Sequence, residues 1–197
     1  MSLDTRNTIL QQAEFLIRTR GYSAFSYADL AERVAITKAS VHYYFPTKED
    51  LIVVLVGEYI ERFVATLERI KQQRARPGDR LRAYAHLFLD GFKHGMLPLC
   101  GALSAERSAL PESVRPQVQV FFQIHLEWLT GVLEEGLAAG ALRAGVSPAK
   151  AALLLLSTLE GGAIVGWALT QKAPVLAAFE TALHNLENQD SIQAKEK

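Results

Sequence analysis

Apolar residues recur every three or four positions over most of the sequence, the spacing that predicts amphipathic α-helices. No segment shows the apolar–polar alternation of a β-strand. In the N-terminal part, helix-start residues and the helix-ending Gly21 divide the pattern into short segments. The three predicted helices cover Thr5–Arg20, a segment capped by Ser26 and ending at Val34, and Thr37–Phe45.

The rest of the sequence predicts six more helices, most of them longer. Thr47 followed by Asp50 is typical of a capping box, and Ser147-Pro148 places a serine cap before a first-turn proline. The six run over about Thr47–Gln73, Asp79–His94, a short segment ending near Ala109, Pro111–Gly136, Ser147–Gln171 and Pro174–Leu186. We therefore expect an all-α protein of about nine helices, with polar residues 188–197 as a flexible tail.

Composition narrows the class of protein. The chain has 197 residues, 21 basic and 21 acidic side chains, and 49% hydrophobic residues. Disordered chains combine low hydrophobicity with high net charge, so this composition indicates a folded protein. The single cysteine, Cys100, excludes an internal disulfide framework and fits a reducing compartment. Because no apolar leader follows Met1, we expect a cytoplasmic protein.

The most apolar stretch, Ala151–Thr170, is long enough to span a bilayer. Glu160 lies at its centre, where a charge costs roughly 2.5–3.5 kcal/mol, so the stretch predicts a buried helix and no membrane partner. One face can meet the chain's own core, and the other requires a second protein surface. We expect a homodimer through this helix and Pro174–Leu186, with Gly162 and Gly166 allowing close approach.

The second and third helices have the lengths and the tight connection of a helix-turn-helix. In that motif the N-terminal residues of the second helix face the bases in the major groove. Residues 33–48 contain three cations (Arg33, Lys38 and Lys48) and no acid, although the whole chain is neutral. This local charge favours double-stranded DNA as a partner. An ordinary helical hairpin could carry the same residues without a ligand.

The run from Phe25 to Leu51 resembles the signature of the TetR family of transcriptional regulators. The matching features are Gly21-Tyr22, Tyr44-Phe45-x-x-Lys48 and Leu51. The resemblance implies a homodimeric, ligand-responsive regulator that binds a pseudo-palindromic operator, with repression as the expected role. Two-fold symmetry would present two recognition helices about 34 Å apart.

The resemblance also implies a division of the chain into a helix-turn-helix DNA-binding domain at residues 1–46 and an effector-binding and dimerisation domain at residues 47–187. The residues that it assigns to DNA are Thr37, Lys38, Ala39, Ser40, His42 and Tyr43. Ser26 and Lys48 are expected to bind phosphates, and Tyr44 to be partly buried with its hydroxyl reaching a phosphate. The residues expected to pack the three short helices together are Val34, Ile36, Val41 and Phe45.

Two positions depart from the family pattern. Ala35 stands in the turn where the family usually has glycine, and a left-handed conformation there would cost alanine about 1–2 kcal/mol. The usual Tyr-His order is reversed as His42-Tyr43. The operator therefore cannot be inferred base by base.

Aromatic residues in the later helices, with polar residues among them, favour a site for an apolar or aromatic small-molecule effector. Packed core is the alternative for each aromatic. We expect the site between the fifth, seventh and eighth helices. The candidate residues are Phe88, Phe92, Cys100, Glu106, Phe121, Phe122, His125, Trp128, Glu160 and Trp167.

Cys100 leaves two further hypotheses open. It could be a reactive thiol that senses electrophiles, as in some TetR-like regulators, or an inert buried side chain. It could also serve a small helical enzyme or redox protein, although no phosphate loop or nucleophile elbow occurs.

A third hypothesis is a dimeric adaptor that has lost DNA binding, which Ala35 and the neutral charge permit.

No cofactor or metal site is predicted. His86, Asp90 and His94 share one helical face, but the two histidines would lie about 12 Å apart along the axis. One zinc ion, with bonds of about 2 Å to nitrogen, cannot join them. We therefore expect no metal and no catalysis.

Overall fold

The computed structural model describes residues 3–92, 95–171 and 173–188. Within these ranges the chain forms helices and one isolated β-bridge, between Leu142 and Glu187, and no strand. The all-α prediction is therefore confirmed. The helices are α1 (Leu3–Arg20), α2 (Tyr27–Val34), α3 (Lys38–Tyr44), α4 (Lys48–Gln73), α5 (Pro77–Phe92), α6 (Leu99–Ala105), α7 (Arg115–Ala138), α8 (Pro148–Leu169) and α9 (Ala173–Leu186).

Short-range capping explains why α2, α3 and α4 begin where they do. Ser26 and Asp29 form a reciprocal capping box at α2, and Thr37 accepts the amide of Ser40 at α3. At α4 the Thr47 amide donates to the Asp50 carboxylate at 2.9 Å, and the Asp50 amide donates to the Thr47 hydroxyl at 3.1 Å. As predicted, Ser147 is the N-cap residue of α8 and Pro148 is its first helical residue, although the Ser147 side chain makes no capping hydrogen bond.

The chain divides into two compact units. The first contains the residues up to Phe63 together with Met96–Phe121, and the second contains Val64–Gly95 and the residues from Phe122 onward. This division differs from the predicted boundary at residues 46 and 47. The first half of α4 contributes fully buried side chains to the first unit, and α6 packs on α1.

In the first unit, the buried side chains lie on one face of each short helix. They include Ile9, Leu16 and Ile17 of α1, Leu30 of α2, Val41 of α3, and Leu51 and Ile52 of α4, all at most 1% exposed. Phe45, which follows α3, is also buried. This core holds the three short helices in place and leaves the other face of α3 in solvent.

In the second unit, α8 and α9 form the most extensive helix pair. Gly162 makes this possible, because a Cβ atom there would lie 3.0 Å from the Val175 Cα atom of α9. Gly161, its neighbour, faces open space. The close approach that the glycines were expected to provide between chains is thus used at Gly162 within the chain.

The opposite side of α8 is apolar and exposed. By length and composition this helix could cross a membrane, and 39% of its most apolar window is buried. The large side chains in solvent are Leu153, Leu154, Ile164, Val165, Trp167 and Leu169. Their spacing places most of them on one stripe, with Ser157 and Gly161 between them, also exposed.

Candidate nucleic-acid interface and ligand cluster

The exposed side of α3 carries most of the residues that the sequence assigned to DNA. Thr37, Lys38, Ala39, His42 and Tyr43 are exposed, and Ser40 is half-buried. Tyr43 has 72% of its surface in solvent, the largest exposure among the large hydrophobic side chains of the described residues. A large amphipathic side chain with this exposure is suited to contact a partner.

The buried side of α3 is held by contacts that fix its direction. The Tyr27 hydroxyl donates to the carbonyl oxygens of Phe45 at 2.9 Å and Thr47 at 2.5 Å. His42 lies edge-on to the Tyr27 ring, and its Nδ1 atom is 3.0 Å from the Pro46 carbonyl oxygen. These contacts join α2 to the connection between α3 and α4. His42 therefore combines an exposed surface with a structural contact.

The three residues that were predicted to contact phosphates make internal hydrogen bonds or have a buried polar group. The Ser26 hydroxyl donates to the Asp29 carboxylate at 2.6 Å, and hydrogen bonds from Ser26 lower the pKa of that carboxyl. The Lys48 ammonium donates to the carbonyl oxygens of Tyr22 and Phe25 at 2.6 Å each. The Tyr44 hydroxyl is buried and makes no hydrogen bond within the described part of the chain. In this conformation none of the three presents a free polar group to a phosphate.

The connection between α2 and α3 has the left-handed geometry that the sequence raised as a possibility. Ala35 has φ 56° and ψ 43°. Its amide donates to Glu32 at 3.2 Å, and the Ile36 amide donates to Ala31 at 3.0 Å, so the last carbonyls of α2 are satisfied. The turn is thus retained with a residue that carries a Cβ atom.

In the second unit, aromatic side chains of α5 and α7 form a cluster around His125. Tyr84 stacks on Trp128 with ring centroids 5.4 Å apart and hydrogen-bonds to His125 through its hydroxyl. Phe88 and Phe122 complete the cluster, with centroids 6.3 and 6.2 Å from that of His125. Tyr84 was missed by the sequence analysis, although its i, i+4 spacing to Phe88 placed both on one helical face.

Two buried titratable groups of this unit, His125 and Glu160, have pKa values that burial shifts toward the uncharged form. Burial lowers the pKa of His125 to about 3. Burial raises the pKa of Glu160 on α8 to about 7. The Trp128 Nε1 atom and the Glu160 Oε1 atom are buried without a hydrogen-bond partner in the described ranges. Unsatisfied buried polar atoms of this kind are costly, and a bound ligand can satisfy them.

Other predicted effector residues lie elsewhere. Phe121 belongs to the first unit, with Tyr59 and Phe63 beside it. Glu106 also belongs to the first unit, where its carboxylate accepts the backbone amides of Tyr22 and Ser23. Glu106 thus holds the connection between α1 and α2 and is not in the unit that contains His125.

The remaining candidates are Cys100, Trp167 and Phe92. Cys100 is in the first unit and its side chain is 0% exposed, which favours the inert interpretation over the reactive one. Trp167 is 46% exposed, and its indole donates to the Gly95 carbonyl oxygen at 3.3 Å. The side chains of Phe92, Asp90 and His94 lie outside the described residues.

Two descriptions of known protein families match the chain, one in its N-terminal part and one over most of the remainder. Residues 9–55 match the family described as "Bacterial regulatory proteins, tetR family". Residues 77–183, more than half of the chain, match "Tetracyclin repressor-like, C-terminal domain".

Similarity to individual proteins extends over nearly the whole chain. A crystal structure of a TetR-family transcriptional regulator from Agrobacterium tumefaciens is 31% identical, with a TM-score of 0.89, and the match covers 94% of this chain and 98% of that one. The HTH-type transcriptional repressor DhaR of Mycobacterium sp. (strain GP1) is 22% identical over 93% of this chain and 94% of its own. The fatty acid metabolism regulator protein of Bacillus subtilis is 22% identical over 90% and 91%.

Proposed function

Because the chain belongs to the tetR family of bacterial regulatory proteins and is therefore a DNA-binding transcriptional regulator, we propose that it is a cytoplasmic repressor which a small molecule releases from its operator. It binds an inverted-repeat operator as a homodimer. The similarity to DhaR, which is a repressor, supports the sign of regulation.

The observation that carries the proposal is the two-sided character of α3. Val41 is fully buried, whereas Lys38, Ala39 and Tyr43 face solvent. A helix fixed from behind can enter the major groove without rearranging its own domain. The small Ala39 side chain permits close approach, while Lys38 and Tyr43 supply a cation and a hydroxyl for phosphates or base edges.

Two copies pair through α8 and α9. The exposed stripe of α8 is apolar, and Gly161 at its centre offers open space for a facing helix. Apolar surface of this extent on a soluble chain indicates a protein interface. The pairing surface is therefore the exposed stripe, whereas Gly162 serves the contact between α8 and α9.

Selection of DNA from a random library tests operator binding. Duplexes retained by the wild-type protein over several rounds are sequenced. We expect enrichment of an inverted repeat with half-site centres about 34 Å apart, or one helical turn. Recovery of sequences indistinguishable from the starting pool would contradict the proposal and favour the adaptor hypothesis.

The effector is an uncharged aromatic molecule with a hydrogen-bond acceptor. The cluster offers aromatic faces and the unsatisfied Trp128 indole N–H group. Since His125 is neutral, the cluster described here provides no cation for an anionic ligand. A charged carboxylate effector would be desolvated there without compensation.

Thermal unfolding in the presence of matched compound pairs tests this class of ligand. Neutral aromatic amides and esters should raise the Tm, whereas the corresponding carboxylates should not, because only a ligand of the folded state stabilises it. Trp128→Phe, which keeps an aromatic side chain but removes the indole N–H group, should reduce the shift. Equal stabilisation by the carboxylates would contradict this assignment.

A further inference from the structure

Helix α6 is attached on its N-terminal side to the last turn of α1 and on its C-terminal side to the segment that joins α1 to α2. On the N-terminal side, Leu97 and Arg18 exchange two hydrogen bonds. The Leu97 amide donates to the Arg18 carbonyl oxygen at 3.0 Å, and the Arg18 Nε atom donates to the Leu97 carbonyl oxygen at 2.7 Å. All these residues belong to the first compact unit.

On the C-terminal side, the attachment is made by Glu106, the C-cap residue of α6. Its two carboxylate oxygens accept successive backbone amides, from Tyr22 at 2.6 Å and from Ser23 at 2.9 Å. Burial raises the pKa of Glu106, but the hydrogen bonds from Ser23 and Tyr22 and the charge of Lys48 outweigh it, so the pKa lies below its usual value. The carboxylate is therefore ionised in the folded protein at neutral pH.

The same turn is held from its other side by a cation. The Lys48 ammonium, in the first turn of α4, donates to the carbonyl oxygens of Tyr22 and Phe25. It also lies 4.4 Å from the centroid of the Tyr22 ring and 4.0 Å from that of Phe25. The turn thus directs its amides to an anion and its carbonyls to a cation. Each charge stabilises the end of the peptide dipoles that faces it.

Gly21 is fitted to this arrangement. Its φ of +97° is one that side chains other than glycine rarely adopt, and a Cβ atom there would lie 2.3 Å from the Glu106 Oε1 atom. The carboxylate can reach the Tyr22 amide only because the preceding residue has no side chain. The Gly21-Tyr22 pair of the sequence signature therefore has a physical partner 84 positions further along the chain from Tyr22.

We propose that Glu106 is a positioning residue for operator binding. By fixing the Tyr22–Ser23 turn, it sets the path of the chain from α1 to the capped start of α2, and Lys48 ties the same turn to the start of α4. The exposed side of α3 is presented on DNA from this framework. Operator affinity then depends on the attachment of α6 to the turn as well as on the residues that contact DNA.

This inference rests on the proposed function, because operator binding is what it measures. The first three helices and the start of α4 should remain folded without Glu106, since their buried core at Leu16, Leu30, Val41 and Leu51 does not include this side chain. Loss of the carboxylate should release the turn without unfolding the domain. The expected defect is therefore one of orientation.

The test compares wild-type protein with Glu106→Gln and Glu106→Ala, and uses Glu112→Gln as the matched control, since Glu112 is exposed on the loop after α6. Affinity is measured for a duplex selected by the wild-type protein. We expect Glu106→Gln to weaken binding about tenfold and Glu106→Ala at least as much, because hydrogen bonds to a charged group are lost. Glu112→Gln should bind as the wild type does.

A ¹H–¹⁵N spectrum of each variant distinguishes positioning from loss of fold. The Tyr22 and Ser23 amide signals should move in Glu106→Gln, while the signals of the buried residues of α1, α2 and α3 stay in place. Wild-type affinity in Glu106→Gln would overturn the inference, as would an affinity loss accompanied by general loss of the core signals. Failure of the wild-type protein to select any duplex would instead contradict the proposed function itself.

Discussion

Ala35 shows that a local conformation can be imposed on a residue that does not favour it. The left-handed geometry, with φ 56° and ψ 43°, closes α2 and directs the chain into α3. A residue with a Cβ atom loses roughly 1–2 kcal/mol in this region relative to the right-handed one, and glycine does not. The turn persists because the packed helices on either side determine its path.

Replacing this residue should therefore stabilise the protein. We expect Ala35→Gly to raise the free energy of unfolding by about 1 kcal/mol, measured by urea denaturation, since glycine adopts the left-handed region without strain. Ala65→Gly, at an exposed position inside α4, is the control and should lower it by about 0.5–1 kcal/mol. Destabilisation by both substitutions would show that Ala35 is not strained.

Glu160 should make stability depend on pH in a direction opposite to most carboxyl groups. Its pKa is raised by burial from 4.5 to about 7, so the folded state binds more protons than the unfolded state between these values. Stability should fall as pH rises from 4.5 to 7 and then level off. In the wild type the free energy of unfolding should decrease by on the order of 2 kcal/mol between pH 5 and pH 8, as measured by denaturation at the two pH values. Glu160→Gln should abolish this decrease. An unchanged pH dependence in this variant would contradict the assignment.

His125 should make the stability of the protein rise with pH, in the direction opposite to that of Glu160. Burial lowers its pKa from 6.5 to about 3, so the unfolded state binds more protons between these values. Its contribution to stability is present above pH 6.5 and should be lost as pH falls toward 3. His125→Asn cannot take up a proton there and should show a smaller decrease in Tm between pH 6.5 and pH 4.5. Equal decreases in both proteins would show that His125 is not responsible.

The helices themselves were predictable because their start signals are local. The caps at Ser26, Thr37 and Thr47 act on amides three residues away, so the sequence contains both partners within one turn. The Glu106 contact with Tyr22 spans 84 positions and depends on how α6 packs against α1. No local pattern identifies such a pair. For this reason the sequence could not indicate that Glu106 holds the connection between α1 and α2.

The exposed apolar stripe of α8 leads to a testable prediction about how two copies of the chain assemble. Ile164 is 57% exposed on the apolar stripe. Ile164→Arg should place a charge in the pairing surface and convert the dimer to a monomer, as measured by sedimentation at micromolar concentration, because burying an unpaired charge costs several kcal/mol. Val120→Arg, at another exposed apolar position with 45% exposure, is the control and should stay dimeric. A dimeric Ile164→Arg variant would exclude this stripe as the interface.

Over the whole chain, the class of protein was easier to predict from the sequence than its internal organisation. The run from Phe25 to Leu51 was sufficient to indicate the family, since the residues that form the helix-turn-helix are close together in sequence. The two compact units could not be predicted in the same way. They divide α4 after Phe63 and α7 after Phe121, inside continuous helices where no turn or change of composition indicates a boundary.

The claim on which the rest depends is that α3 presents its exposed side to operator DNA. The most direct test is a titration of one labelled, selected duplex at a series of KCl concentrations, with the wild type, Lys38→Ala and, as control, Lys71→Ala at the exposed end of α4. For the wild type, log Kd should rise linearly with log[KCl]. Lys38→Ala should bind at least about tenfold more weakly with a slope lower by roughly 1–2, and Lys71→Ala should match the wild type. A salt-independent Kd, or identical curves for Lys38→Ala and the wild type, would contradict the account.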